Sequence, residues 1–293
     1  MNILCVSDIL GEKLDRSTAS PFANLLKECS GPDDHVKAVY IDELIFEVSN
    51  EGLLLLDSQN NQELKPDIVF VRGREPIGLH VSRFCKHKGI PCINDYSDYK
   101  SRTKFSQLIY FFESQATILR TIFSVNSGLL IKSAESRLGY PYILKTNMGS
   151  HGDSNYLIKD KDHAEKIIKE EPETEFVAQE YCPNDRDYRI LIIGNKELIF
   201  ERRGGVDTHL NNTSKGGLAK IAEDDLPKDI VSKARQLALG YNLTLSGVDT
   251  MPKLDSDEYY FLEINFQPQI ATGVLLDEKK LLITELLKSL DKD

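Results

Sequence analysis

Short apolar runs alternate with amphipathic stretches over the first ninety or so residues. Ile3–Val6 and Val36–Ile41 are strand-like, and Pro66–Arg72 is a third run that ends at a Gly73 turn. Ser20-Pro21 supplies a cap and first position for a helix to Lys27, and a second helix is predicted from about Ile77 to Lys88. Gly89–Ile93 closes the unit as another strand, while the looser alternation of Leu44–Asp57 predicts a hairpin. Strands separated by helices imply a largely parallel sheet, with any ligand at the strands' carboxyl ends.

From Asn94 the chain turns into a helix that runs to Glu113, after which strands become more frequent and more antiparallel in character. Tyr142–Thr146 and Ser154–Ile158 flank the polar loop 147–152 and predict a hairpin. A helix follows at about Lys161–Lys169, then a strand ending at Gln179-Glu180-Tyr181-Cys182. Tyr188–Ile193 and Glu197–Arg203 surround a Gly194-Asn195 turn. Gly204–Gly217 has no periodicity and reads as a loop; a helix at about Leu226–Tyr241, strands Leu245–Pro252 and Glu258–Asn265, and a helix Leu276–Leu290 complete the pattern.

Composition narrows the class. No apolar run approaches the roughly 20 residues of a bilayer span, and the early acidic residue Asp8 does not suit a signal peptide. Five cysteines form no CxxC pair, which argues against a zinc knuckle or disulfide framework and fits a reducing cytoplasm. The formal charge of −10 disfavours a partner with a phosphate backbone, so neither nucleic acid nor membrane is expected. It does not exclude a small positive pocket.

Candidate chemistry lies mostly in the second half. Glu263 and Asn265 are two residues apart in a strand and share a face; with Asp249 they offer hard oxygen donors suited to Mg²⁺, or simply a polar strand face. Lys145 interrupts an apolar strand just before Gly149-Ser150-His151-Gly152, where backbone N–H groups could approach an anion. The loop lacks a Walker ending and is equally a plain turn. Gln179-Glu180-Tyr181-Cys182, with Asp187 and Arg189 beyond, offers strand-end groups that could meet a nucleotide, or solvent. Arg72 and Arg74 sit at the carboxyl end of a sheet strand, placed for a structural ion pair or for a substrate carboxylate. His151 and His209 lie in loops and are expected to be solvated.

The order of these pieces, Lys104, Lys145 with its glycine loop, Gln179-Glu180-Tyr181, Asp187, Glu201-Arg202-Arg203, Asn212, Asp249 and Glu263-Ile264-Asn265, resembles the ATP-grasp superfamily. Within it the chain looks most like the RimK-like and LysX-like carboxylate–amine ligases. The resemblance implies an α/β fold, α+β in its C-terminal part. It also implies a parallel N-terminal domain (1–93), a lid and central subdomain (94–182), and an antiparallel C-terminal subdomain (183–293). ATP and two Mg²⁺ ions are implied, with Mn²⁺ able to substitute. Lys104, Lys145, Gly149, Ser150, His151, Gly152 and Asn212 would contact phosphates. Gln179, Glu180, Tyr181 and Cys182 would hold adenine and Asp187 the ribose. Arg202 and Lys145 would be catalytic, Asp249, Glu263 and Asn265 would bind metal, and Arg72, Arg74, Arg203 and Gln267 would face substrate.

The implied reaction joins a carboxylate to an amine through an acyl-phosphate, releasing ADP and phosphate. The partners would be amino acids, peptides or proteins; homo-oligomerisation is left open. A ribosomal-peptide tailoring ligase or macrocyclase and a catalytically silent ATP-binding sensor are the alternatives. Two positions depart from the family pattern: Leu210 stands where a basic residue is expected, and Gln269 where glycine follows the proline.

Overall fold

A computed structural model describes residues 1–7, 20–50, 52–72, 77–98, 100–149, 155–203, 218–222, 225–253 and 256–291. The first part comprises β1 (Asn2–Ser7), α1 (Pro21–Cys29), β2 (His35–Tyr40), β3 (Leu44–Ser49), β4 (Gly52–Asp57), β5 (Gln62–Glu63), β6 (Ile68–Arg72), α2 (Ile77–Lys88) and β7 (Cys92–Ile93). Four of these strands form a parallel sheet in the order β2-β1-β6-β7. Ile3 to Val6 and Ile68 to Val71 are buried without alternation because helices and other sheets cover both faces. The predicted hairpin is present as β3–β4, extended by β5 into a separate antiparallel sheet.

The middle part comprises α3 (Lys104–Glu113), β8 (Thr121–Phe123), α4 (Ser127–Arg137), β9 (Tyr142–Thr146), β10 (Asn155–Ile158), α5 (Lys161–Glu170) and β11 (Phe176–Glu180). Its strands form an antiparallel sheet, β10-β9-β11-β8. Tyr142, Leu144 and Ala178 pack inward with Leu130 and Ile131 of α4, leaving Ile143, Lys145, Val177 and Gln179 on the opposite face. The sequence pattern does not predict α4 or β8. Asn126 caps α4 by accepting the Leu129 N–H at 3.0 Å, but Gly128 in the first turn gives the segment the look of a loop. β8 has three residues and is too short to display a period.

The last part comprises β12 (Asp187–Ile193), β13 (Lys196–Arg203), β14 (Leu218–Ile221), α6 (Lys228–Leu239), β15 (Leu245–Pro252), β16 (Tyr259–Asn265) and α7 (Leu276–Leu290). Its sheet is antiparallel, β14-β13-β12-β15-β16. One apolar cluster joins this sheet to the first: Ile3, Phe22 and Phe70 pack together with Leu191, Leu198, Ile283 and Leu286. Buried Asn94 pins the same junction. Its Oδ1 accepts the Leu245 N–H at 2.7 Å, and its Nδ2 donates to the carbonyls of Leu245 and Phe266 at 2.7 and 3.2 Å. These bonds satisfy backbone groups at the buried junction. Among the described residues no helix is long and apolar enough to cross a membrane.

Candidate active site

Strand alternation places Asp187 and Arg189 of β12 on one face of the five-stranded sheet, and register brings the remaining groups beside them. Arg202 lies opposite Asp187, Asp249 opposite Arg189, and Glu263 opposite Asp249, with Asn265 opposite Gly247. Arg189 grips Asp249 with two hydrogen bonds, Nε to Oδ1 and Nη2 to Oδ2, both 2.7 Å. Arg202, buried at 3% exposure, donates Nε to Asp187 Oδ1 at 2.6 Å, and its Nη2 lies 3.2 Å from Asp249 Oδ2. Asn265 Nδ2 donates to Asp249 Oδ2 at 3.3 Å.

These contacts set the charges. Burial alone would push the Asp249 carboxyl up, but Arg189 and Arg202 overcome it and hold the pKa at about 2. Burial opposes the charge on Arg202; Asp249 and Asp187 together outweigh it and raise its pKa above the usual arginine value. Glu263 is pushed up by burial and by neighbouring Asp249, against the pull of Lys104 and Lys145. Two carboxylates held side by side in a buried setting repel unless a cation lies between them. That fits a hard divalent ion. Among the described residues no group of three or more His, Cys, Asp or Glu could hold a metal; two carboxylates and the Asn265 amide suit Mg²⁺, which leaves its other positions to phosphate oxygens and water.

Across from this face stands the second sheet. Lys145 donates Nζ to Gln179 Oε1 at 2.7 Å, and Gln179 Nε2 donates to Thr121 Oγ1 at 2.9 Å. Burial, reinforced by Lys104 and opposed by Glu263 and Asp249, lowers the Lys145 pKa to about 8. Lys104 is the first residue of α3 and donates Nζ to the Gly149 carbonyl at 2.9 Å. Asn147 holds the loop to the same helix end, its carbonyl accepting the Lys104 N–H at 2.8 Å and its Oδ1 the Phe105 N–H at 3.1 Å. Gly149 has φ +122°, and a Cβ there would meet Thr146 Oγ1 at 3.3 Å. Gln107 of α3 reaches the other sheet, its Oε1 accepting the Ile264 N–H at 2.7 Å. One helix therefore fixes both the glycine loop and the strand that carries Glu263.

Asp187, assigned above to a ribose, directs its carboxylate at Arg202 within the sheet face. Arg203, assigned to substrate, points to the other face and binds Glu201, because neighbouring strand residues face opposite ways. Glu180 Oε1 accepts the Arg120 N–H at 2.8 Å; Tyr181 and Cys182 follow it at the strand end, partly exposed. Gln267 is half-buried just after β16. Arg72 is held at the Pro268 carbonyl, Nη2 to O 2.9 Å, and burial lowers its pKa. Arg74, Ser150, His151, Gly152, His209, Leu210 and Asn212 lie outside the described residues. The sequence reading missed Thr121 and Gln107; it named Arg189 beside Asp187, and Asn147 within the 147–152 loop, without giving either a partner. That Arg189 shares the face of Asp187 was within its reach, the two being two residues apart on a strand.

Residues 117–284, more than half of the chain, match the family profile of the RimK-like ATP-grasp domain. The chain belongs to the RimK-like ATP-grasp family. This ATP-grasp chain is 24% identical over 217 residues to N-acetylaspartylglutamate synthase A from Mus musculus, covering 66% of the chain and 54% of that protein. It thus spans about half the length of that curated relative. Among solved structures, it resembles D-alanyl-alanine synthetase A from Vibrio cholerae O1 biovar eltor, with TM-score 0.73 and 15% identity over 99% of this chain and 97% of the other. It also resembles a Chryseobacterium gregarium RiPP-associated ATP-grasp ligase in complex with ADP, a leader and a core peptide, with TM-score 0.68 and 15% identity over 100% and 97%. At these identities the structural likeness establishes the ATP-grasp fold.

Proposed function

We propose that the chain is an ATP-dependent carboxylate–amine ligase working through an acyl-phosphate. The observation that carries this reading is the facing pair of groups: Lys145, fixed by Gln179, against a sheet face bearing Arg202, Asp249 and Glu263. A cationic cradle opposite a paired-carboxylate site is what a polyphosphate and its divalent ion require.

In this reading Asp249, Glu263 and Asn265 would hold Mg²⁺, which would offset charge on the phosphates. Lys145 and Lys104 bind phosphate oxygens, and Gly149 lets the loop backbone approach them. A substrate carboxylate oxygen attacks the γ-phosphorus, the bond from that phosphorus to the bridging oxygen breaks, and ADP leaves. The amine nitrogen then attacks the acyl carbon, the carbon–oxygen bond to phosphate breaks, and the amine gives up its proton to the departing phosphate or water. Arg202, oriented by Asp187, stabilises charge as phosphoryl transfer proceeds. No enzyme nucleophile is needed. Residues 1–93 contribute Arg72 to the acid side, 94–182 the phosphate cradle, and 183–293 the metal face.

A peptide substrate is favoured by the likeness to a ligase solved with a leader and core peptide. The test is ADP release from Mg-ATP with panels of free acids, amino acids and peptides, with product masses read in parallel. Acid-stimulated ADP release with a product heavier by the amine less water is expected. ATP binding without any substrate-stimulated turnover overturns the ligase reading in favour of a silent sensor.

A further inference from the structure

β16 carries two of the three candidate metal donors and is the outer strand of its sheet, so part of its backbone faces away from β15. It is also irregular. Glu263 pairs with Asp249 while Phe261 pairs with Thr250, which leaves Leu262 as an extra residue in a β-bulge. The bulge decides where the donors point. Phe261 and Ile264 are three residues apart, yet both are buried in one apolar cluster, at 2% and 1% exposure. A regular strand would place them on opposite faces. With Leu262 inserted, both pack inward, and Glu263 and Asn265 are delivered to the site face.

Two hydrogen bonds bracket the bulge from outside the sheet. The Phe261 N–H donates to the Thr117 carbonyl at 2.9 Å, and the Ile264 N–H to Gln107 Oε1 at 2.7 Å. The first joins two backbones; the second depends on a single side chain. Gln107 is 3% exposed, and its Nε2 donates to the Arg102 carbonyl at 3.0 Å. Thr103 already caps α3 by accepting the Ser106 N–H at 3.2 Å, so Gln107 is not needed to start the helix. The Arg102 guanidinium lies 3.9 Å from the Tyr96 ring and 5.1 Å from the ring of Phe266, the residue after Asn265. Ile264 stands between Glu263 and Asn265, so any displacement of its N–H carries both donors with it.

We propose that Gln107 is a positioning residue for the divalent ion: by holding the Ile264 N–H it keeps bulged β16 in the arrangement that presents Glu263 and Asn265 together beside Asp249. This rests on the metal assignment within the ligase reading. Gln107 touches neither the ion nor a substrate; it fixes the spacing of the groups that do.

The test is Mn²⁺ binding at saturating ADP, followed by electron paramagnetic resonance, in the wild type, Gln107→Met, Gln107→Glu and Glu263→Gln. Both Gln107 variants lose the bond to the Arg102 carbonyl, but only Gln107→Glu keeps an acceptor for the Ile264 N–H. Gln107→Met should weaken Mn²⁺ binding roughly tenfold, and Gln107→Glu should stay within about threefold of the wild type. Affinity for ADP without metal should be unchanged in both. A glutamine that only stabilises the fold would lower the melting temperature without separating the two variants in Mn²⁺ affinity. Should Gln107→Met not fold, Gln107→Ser, which admits water to the freed Ile264 N–H, takes its place in the comparison. Wild-type Mn²⁺ affinity in Gln107→Met, or equal weakening in both variants, overturns the inference; loss of binding in Glu263→Gln then leaves the metal assignment standing. Wild-type Mn²⁺ affinity in Glu263→Gln overturns the metal assignment and the inference with it. None of these readings needs turnover, so a protein that binds ATP without ligating anything would sink the ligase reading and leave the role of Gln107 intact.

Discussion

Arg189 and Asp249 face each other across β12 and β15, joined by two hydrogen bonds of 2.7 Å, so the carboxylate at the centre of the candidate metal site is already oriented by a guanidinium. Bidentate pairing fixes the carboxylate plane as well as its position. It also makes this part of the sheet sensitive to acid.

The Asp249 pKa falls from 3.8 to about 2 on folding. The stability this supplies is present above the unfolded value and is lost as pH falls from there through about 2, worth about 2 kcal/mol. Asp249→Asn leaves buried Arg202 and half-buried Arg189 short of a counter-charge and should cost about 3 kcal/mol at neutral pH. Urea unfolding of both proteins at pH 7 and pH 3 checks this: the gap between them should narrow in acid. A gap that widens contradicts the assignment.

Glu263 presents the opposite sign. Its carboxyl is pushed up by burial and by Asp249, so the charged form is strained at neutral pH. Glu263→Gln should therefore raise the melting temperature by roughly 2 °C or more while lowering Mg-dependent ADP release by roughly 100-fold. Calorimetry alongside turnover reads both. Near-normal turnover would mean the metal sits elsewhere.

Lys145 carries a pKa of about 8 in the free chain. If the protonated form binds ATP, as proposed, kcat/KM for ATP should fall as pH rises through that value, about tenfold per pH unit well above it. Lys145→Arg stays charged and should flatten the profile even if its rate is lower. A wild-type profile flat to pH 9.5 would remove Lys145 from phosphate binding.

Gln179 joins Thr121 to Lys145 in one chain of hydrogen bonds. Gln179→Leu should leave Lys145 without its partner and Thr121 with only its bond to the Leu119 carbonyl, costing about 1–2 kcal/mol in stability and raising KM for ATP roughly tenfold. Thermal melts and ATP titrations check it. An unchanged KM would show that Lys145 finds its place without Gln179.

The sequence by itself determined the local structure: where strands alternate, where Gly194-Asn195 must turn, and that Glu263 and Asn265 share a face. These follow from backbone periods of a few residues, visible where an element is long enough and free of loop-like residues; Gly128 hides α4, and β8 is too short to show a period. Tertiary structure alone decided the partners. Asp187 turned to Arg202, Arg203 turned away, and Arg189 met Asp249 because strands distant in sequence were set in one register, and a shift of one residue would reverse every face. The contact of Arg72 with the Pro268 carbonyl lies where α1 and α7 pack together and join the first and last sheets. No period within the chain encodes that contact, because it is fixed by the joint burial of apolar surface from segments about two hundred residues apart.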